Sequence, residues 1–162
     1  MVDINARRDL VLFDTFAGMP PPEDVDRDLT GTSAFARLAS EPTTDPIWAV
    51  GPLDEVRANL LATGYPAERV RFVVGKVEDT LPREAPERIA ILRLDTDWYA
   101  STRHELEHLY PRLAGGGVLI IDDYGHWEGA RRAVDEFLER TAAPVLLNRI
   151  DYTGRIGVKP AA

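Results

Sequence analysis

Acidic residues stand directly after several apolar segments that have the composition of buried strands. Asp95 follows LRL, the pair Asp122 and Asp123 follows LII, and Asp14 follows VLF. In open parallel sheets, ligands bind beyond the carboxyl ends of the strands. Carboxylates that meet there can coordinate a hard divalent cation or accept hydrogen bonds from ribose hydroxyls. A lone acid such as Asp14 can equally be a helix cap or a loop residue.

The acids of the two later strands carry a stronger signal than Asp14 does. Carboxylates gathered at one edge of a sheet repel each other and raise each other's pKa unless a positive group lies among them. A bound cation would remove that cost. The residues alone therefore leave a metal site and a purely structural role of Asp95, Asp122 and Asp123 both open.

The elements that must position these acids alternate between strands and helices. Apolar segments without alternation indicate strands buried on both faces, as in parallel sheets. The predicted order is strand, helix, strand, loop, strand, helix, strand, helix and two closing strands, given by LVLF, LDEVRANLLATG, RVRFVVG, VEDTLPREAPE, RIAILRLD, ASTRHELEHLYPRLAGGG, VLIIDD, HWEGARRAVDEFLER, PVLLNRI and RIGVKP. GGG is taken as the stop of its helix. This order predicts an α/β fold with a mostly parallel sheet, helices on both faces and a C-terminal antiparallel pair of strands.

Residues 17 to 52 form a long irregular connection in this prediction. They are rich in proline, and only SAFARLAS within them suggests a short helix. Long connections in compact domains are often functional lids or substrate loops. We expect substrate specificity to depend on this segment and on residues upstream of the chain.

The composition excludes several classes of protein. The chain has 162 residues, a net charge of −8 and no cysteine. A general phosphate-backbone binder needs a basic face, so nucleic acid is not expected as a partner. No apolar run is long enough for a membrane span and the N-terminus lacks a signal-peptide pattern. We therefore expect a single domain over residues 1–162, no membrane and a cytoplasmic location.

Four segments together resemble the macrocin O-methyltransferase (TylF-type) family. They are LVLFDTFAGMP, VRFVVGKVEDTLP, the long run from LRLDTDWYAST to RRAVDEF, and IDYTGRIGVK. The resemblance covers nearly the whole chain. It implies a class I S-adenosylmethionine-dependent methyltransferase fold (Rossmann-like), bound Mg²⁺, and the methylation of a sugar hydroxyl of a macrolide or similar glycoside in antibiotic biosynthesis.

The resemblance also assigns roles to individual residues. It implies that Asp95, Asp122 and Asp123 are the metal ligands and that Asp14 binds the cofactor ribose. Glu78 and Asp79 would lie where the adenine edge is met.

A general base is also needed, since a sugar hydroxyl is a poor nucleophile until its proton is removed. Asp95 is the first candidate base, Asp97 the second and His126 the third. Trp98 and Tyr99 either line the acceptor pocket or pack under the following helix.

One motif in the chain is a chance match. HELEH, from His104 to His108, has the H-E-x-x-H spacing of zinc peptidases. The apolar stripe of the same helix contains Leu106, Leu109 and Leu113, and at about 100° per residue both histidines lie nearly opposite it. The histidines should therefore face solvent and not a catalytic centre.

The first strand of the family fold, with its glycine-rich turn, has no match before LVLFD. The two strands that would flank it lose a neighbour, and three outcomes are open: they pair directly, another chain fills the gap, or the natural protein starts further upstream. The 162-residue chain is therefore expected to bind the cofactor weakly or not at all. The alternative function is a non-catalytic truncated remnant of such an enzyme; a nicotinamide dehydrogenase is a distant third because the dinucleotide fingerprint is absent. A homo-oligomer is also an open expectation.

Overall fold

The computed structural model describes residues 7–42, 48–141 and 145–161. Its strands are β1 (Leu10–Asp14), β2 (Val70–Val74), β3 (Ile89–Leu94), β4 (Leu113–Ile121), β5 (Asn148–Arg149) and β6 (Arg155–Val158). Its α-helices are α1 (Ala34–Ser40), α2 (Leu53–Ala62), α3 (Val77–Thr80), α4 (Tyr99–Leu109) and α5 (Glu128–Thr141). Two 3₁₀ turns, Ala67–Arg69 and Tyr110–Arg112, precede β2 and β4. No helix in the described part of the chain is long and apolar enough to cross a bilayer.

The strands form two sheets. β1 and β2 are a parallel pair, and the other sheet has the order β3-β4-β6-β5. Within the larger sheet β3 and β4 are parallel, whereas β6 is antiparallel to both β4 and β5. The predicted closing antiparallel pair is confirmed, although β5 is only two residues long and Pro144 of the predicted segment lies outside the described residues.

β1 and β3 do not pair with each other in the described structure. They are the strands that would flank the missing first strand, so direct closure of the gap does not occur. Phe13 of β1 nevertheless packs against the main core cluster, which includes Val77, Ile89 and Leu92. Residues at the carboxyl end of β1 and directly after β3 line one common cleft.

The main core lies between the larger sheet and the helices α4 and α5. Leu119 of β4, Leu106 of α4 and Val134 of α5 have no exposed surface. The amphipathic pattern of α5 accounts for this placement, since Ala130, Val134 and Phe137 recur at helical spacing and are all buried.

The other face of the larger sheet carries an exposed apolar row. Ile91 pairs with Val118, which in turn pairs with Val158, so the three side chains lie on one face of the sheet. Ile91 is 61% exposed and Val158 57% exposed. We call these three residues the exposed valine-isoleucine row.

The structure corrects two predictions of local structure. Gly115 to Gly117 lie within β4 and do not end the preceding helix. The helix ends at Leu109 instead, and a 3₁₀ turn containing Pro111 follows it. Part of the predicted loop VEDTLPREAPE forms the short helix α3.

Candidate metal and cofactor site

The three predicted metal acids come together at the carboxyl ends of β3 and β4. Asp95, Asp122 and Asp123 each offer a carboxylate oxygen within 4.8 Å of the other two. The strand register explains this proximity, because Leu94 pairs with Ile121 and the amide of Asp122 donates to the carbonyl of Leu94. The residues that follow the paired ends must therefore be neighbours. An oxygen-only ligand set of this kind suits Mg²⁺.

Asp97 joins the cluster from the same loop. Its backbone has a φ of 64°, a conformation that aspartate tolerates better than most side chains. The carboxyl group of Asp97 contacts that of Asp123. Desolvation, as the larger cause, and this contact, as the second, raise the pKa of Asp97 well above its ordinary value. Desolvation also raises the pKa of Asp123. Two buried carboxyl groups in contact favour a shared proton.

Arg93 supplies the positive charge that the sequence prediction did not identify. Its Nη2 lies 3.1 Å from Oδ2 of Asp95 and 2.8 Å from Oδ2 of Asp122. Desolvation and the contact with Asp122 raise the pKa of Asp95, and the Arg93 guanidinium opposes that rise. A period of two places Arg93 and Asp95 on one face of the chain, which is the sequence signal that could have indicated this contact.

An open cleft with a cavity volume of about 90 Å³ lies beside the acids. It extends from the end of β1 to the loop after β3, and its lining includes Asp14, Gly75, Glu78 and Asp95. Two of the predicted cofactor residues, Asp14 and Glu78, are thus on the same cleft as one predicted metal ligand, Asp95. Residues at the end of β1 and in the loop after β3 both line it.

The three predicted cofactor residues differ in their surroundings. Asp14 accepts a hydrogen bond of 2.7 Å from the amide of Phe16, which fixes the turn after β1. Glu78 is half-buried, and its Oε2 is buried without a hydrogen-bond partner among the described residues. Asp79 is exposed and lines a second, adjoining depression together with Glu78. The orphaned oxygen of Glu78 is the feature that fits an absent hydrogen-bond donor.

Trp98 and Tyr99 mainly serve packing. Trp98 is buried, stacks edge-on against Trp127 with ring centroids 4.9 Å apart, and donates from Nε1 to the carbonyl of Pro20. The hydroxyl of Tyr99 donates to Glu136 on α5. The packing interpretation therefore applies to both residues, although Trp98 also borders the depression beside Glu78.

His126 and the HELEH histidines occupy different environments. His126 lies three residues after Asp123, and its Nδ1 is 3.2 Å from the hydroxyl of Tyr152. His104 and His108 are half-buried rather than fully exposed, with ring centroids 4.4 Å apart. Neither belongs to a group of three possible metal ligands in the described residues, where the three aspartates are the group found.

Two buried acids near the site were not predicted. Glu105 of α4 is 5% exposed and accepts a hydrogen bond of 2.8 Å from Thr96. Asp26 of the long connection is fully buried and accepts hydrogen bonds from the amides of Glu23 and Tyr99. Polar residues in a polar loop or helix give no pattern that distinguishes them from surface residues.

The chain matches the family model "Macrocin-O-methyltransferase (TylF)" over residues 2–156. A tetracenomycin rhamnosyl 4'-O-methyltransferase from Streptomyces olivaceus is 40% identical over 141 residues, which are 87% of this chain and 51% of that protein. The mycinamicin III 3''-O-methyltransferase from Micromonospora griseorubida is 34% identical and shares 87% of this chain and 53% of that protein. The chain thus spans about half the length of the curated relatives it matches.

Solved structures agree with this family assignment. The O-methyltransferase NovP superposes with a TM-score of 0.77 at 31% identity, over 95% of this chain and 61% of that chain. The calicheamicin methyltransferase CalS11 gives a TM-score of 0.67 at 27% identity, again over 95% and 61%. The fold is therefore the Rossmann-like fold of class I methyltransferases, and the chain belongs to the macrocin O-methyltransferase (TylF) family.

Proposed function

We propose that this chain carries the metal and acceptor side of an O-methyltransferase that uses S-adenosylmethionine and Mg²⁺ to methylate a sugar hydroxyl of a glycosylated natural product. The observation that carries the proposal is the convergence of Asp95, Asp122 and Asp123, whose carboxylate oxygens lie within 4.8 Å of one another, with Asp95 also lining the cleft. The names of the relatives, which methylate sugar-bearing antibiotics, support the choice of acceptor class.

The residues fit Mg²⁺ by their chemistry. All three candidate ligands are carboxylates, the ligand type that hard cations prefer. Oδ2 of Asp123 is buried without a hydrogen-bond partner in the described structure, so a cation is the kind of partner it lacks. Bound Mg²⁺ would supply a positive charge that lowers the pKa of a neighbouring hydroxyl.

The residues also fit the cofactor along the cleft. Asp14 at the end of β1 is placed to accept hydrogen bonds from ribose hydroxyls, and the orphaned Oε2 of Glu78 can accept one from an adenine edge. S-adenosylmethionine would supply the methyl group, which leaves a positively charged sulfur. Asp14 and Glu78 line the same cleft as Asp95 and Asp97, so a cofactor held by the first two would lie next to the acidic loop.

The proton of the acceptor hydroxyl needs a base on this chain. Asp95 and Asp97 both border the cleft. Asp95 is engaged by Arg93 and belongs to the proposed ligand group, whereas Asp97 belongs to neither arrangement among the described residues. In its ionised form Asp97 is therefore the better candidate for the proton acceptor, ahead of Asp95 and of His126.

Calorimetric titration with MgCl₂ tests the metal part of the proposal. The unmodified chain should bind the ion, and a variant with both Asp122→Asn and Asp123→Asn should bind it more weakly by about tenfold or more. Asp54→Asn is the matched control, since it removes one charge from a fully exposed side chain on α2. Absence of binding to the unmodified chain would overturn the metal assignment.

Titration with S-adenosylmethionine in the presence of MgCl₂ tests the cofactor part. Binding that weakens in an Asp14→Asn variant would support the assignment of Asp14. No heat at millimolar cofactor would favour the non-catalytic alternative over the enzyme. Methyl transfer from labelled cofactor to a rhamnosylated acceptor tests the activity itself.

A further inference from the structure

Arg93 occupies a position from which it competes for the metal acids. It stands two residues before Asp95 on β3, so the two side chains emerge on one face of the strand. Asp122 is the neighbour of Asp95 across the β3–β4 pair. A single nitrogen, Nη2 of Arg93, reaches both carboxylates at 3.1 and 2.8 Å.

The negative charge of the four acids of the site, Asp95, Asp97, Asp122 and Asp123, is compensated in two different ways. Asp97 and Asp123 contact each other through carboxyl groups, an arrangement that a shared proton stabilises. Asp95 and Asp122 instead share the guanidinium of Arg93. The guanidinium stays charged at any physiological pH, so it cannot give way by losing a proton. An incoming cation must therefore displace it or share the two oxygens with it.

We infer that Arg93 is an internal counter-cation that competes with the divalent ion for Asp95 and Asp122 and thereby sets the metal affinity of the site. This inference rests on the proposed function, since it requires that the acids bind a metal. The Arg93 side chain is 54% exposed, so it can turn into solvent when the ion binds. Its role in the chain without metal is to hold the two carboxylates at ligand distance.

The sign of the effect follows from charge. Removal of Arg93 removes both a competitor for two oxygens and a positive charge close to the ion, and both changes favour cation binding. Arg93→Met keeps the length and the apolar stem of the side chain. Arg93→Lys keeps the charge as a single ammonium group.

Calorimetric titration with MgCl₂ at one fixed pH tests the inference. Arg93→Met should bind the ion about tenfold more tightly than the unmodified chain, and Arg93→Lys should stay close to it. Arg83→Met is the matched control, because it removes an exposed guanidinium that pairs with Glu84 and lies outside the cleft. Its affinity for the ion should be unchanged.

Thermal unfolding supplies a second measurement that does not depend on activity. Without metal, Arg93→Met should unfold at a lower temperature than the unmodified chain, since Asp95 and Asp122 lose their counter-charge. Addition of MgCl₂ should raise its unfolding temperature by more than it raises that of the unmodified chain. If the unmodified chain binds Mg²⁺ and Arg93→Met binds it equally or more weakly, this inference is overturned and the metal site stands. Absence of binding by every variant would overturn the metal site as well.

Discussion

The hydroxyl of Thr96 donates a hydrogen bond of 2.8 Å to the buried carboxyl group of Glu105. Thr96 stands between Asp95 and Asp97, so this bond ties the acidic loop to the interior side of α4. Burial raises the pKa of Glu105 to about 8, and the bond from Thr96 opposes that rise. At neutral pH the carboxyl group is therefore mostly protonated in the folded chain and ionised in the unfolded chain.

Glu105→Gln should change how stability depends on pH. The folded pKa of about 8 lies above the ordinary value of 4.5, so the unmodified chain loses stability as the pH rises from 4.5 to about 8. Each pH unit in this window costs at most about 1.4 kcal/mol. The glutamine variant keeps an acceptor for Thr96 and should lack this loss, so its advantage should grow from pH 5.5 to pH 8. Urea unfolding at both pH values measures it.

Glu107 on the same helix is the matched control for that experiment. Hydrogen bonds from Arg103 and Arg140 lower the pKa of Glu107, although its partial desolvation acts the other way. Glu107→Gln should therefore lose stability at neutral pH and not gain it. A glutamine variant of Glu105 that behaves like Glu107→Gln would contradict the assignment of a protonated Glu105.

Asp97→Asn should stabilise the chain in the absence of metal. Desolvation and the contact with Asp123 raise the folded pKa of Asp97 above its ordinary 3.8, so stability falls as the pH rises above about 4. Asparagine removes this loss and tolerates the φ of 64°. At pH 8 we expect a gain of at least about 1 kcal/mol in the free energy of unfolding.

The same substitution should abolish methyl transfer if Asp97 accepts the acceptor proton. The exposed Asp24→Asn is the control for both measurements, since Asp24 lies outside the acidic cluster. A lower free energy of unfolding for Asp97→Asn than for the unmodified chain at pH 8 would contradict the prediction. It would mean that desolvation and the contact with Asp123 do not destabilise the ionised Asp97 carboxylate.

Asp26→Ala should destabilise the chain by about 2–3 kcal/mol. The two oxygens of Asp26 accept from the amides of Glu23 and Tyr99, and Tyr99 is the first residue of α4. Alanine would leave both donors without their partner in a buried place. Urea unfolding of this variant beside Asp24→Ala, an exposed neighbour, measures the difference. Equal stability of the two variants would contradict the proposal that Asp26 stabilises the start of α4 by accepting the hydrogen bond from the amide of Tyr99.

Gly129→Ala should also be destabilising, for a steric reason. A Cβ atom at Gly129 would collide with Oδ1 of Asp26, the oxygen that accepts from Tyr99. The side chain of Asp26 would have to leave its position, so the cost should resemble that of Asp26→Ala. Combination of the two substitutions should cost less than their sum, since the collision and the hydrogen bond involve one carboxyl group. If urea unfolding shows that the double variant loses as much free energy of unfolding as the two single variants together, this explanation is contradicted.

The sequence was sufficient to predict the order of the main elements and the convergence of Asp95, Asp122 and Asp123. Continuous apolar segments bounded by polar residues, and the rule that parallel strands end at one edge, carry that information. The prediction for Gly115 to Gly117 is wrong because a glycine run resembles a helix stop, whereas here the glycines lie within β4, at an irregularity where its pairing with β3 passes from Leu113 to Val118.

The supporting contacts of the site depend on tertiary structure. Glu105 lies on a helix whose apolar stripe is evident from the sequence, but its burial and its hydrogen bond from Thr96 depend on how the helix packs in the fold. Asp26 lies in a segment without periodicity and reaches α4 across 73 positions of the chain. Such partners become visible only when the fold is known.

The exposed valine-isoleucine row has a practical consequence for work with this chain. Ile91, Val118 and Val158 present branched aliphatic side chains across three adjacent strands, and two of them are more than half exposed. A hydrophobic surface of this kind adsorbs to resins, recruits fluorescent dyes such as anilinonaphthalene sulfonate, and promotes precipitation in concentrated samples. Because of these exposed side chains, the chain should be purified at low protein concentration. Ile91→Thr would reduce the exposed apolar surface in the concentrated samples that calorimetry needs.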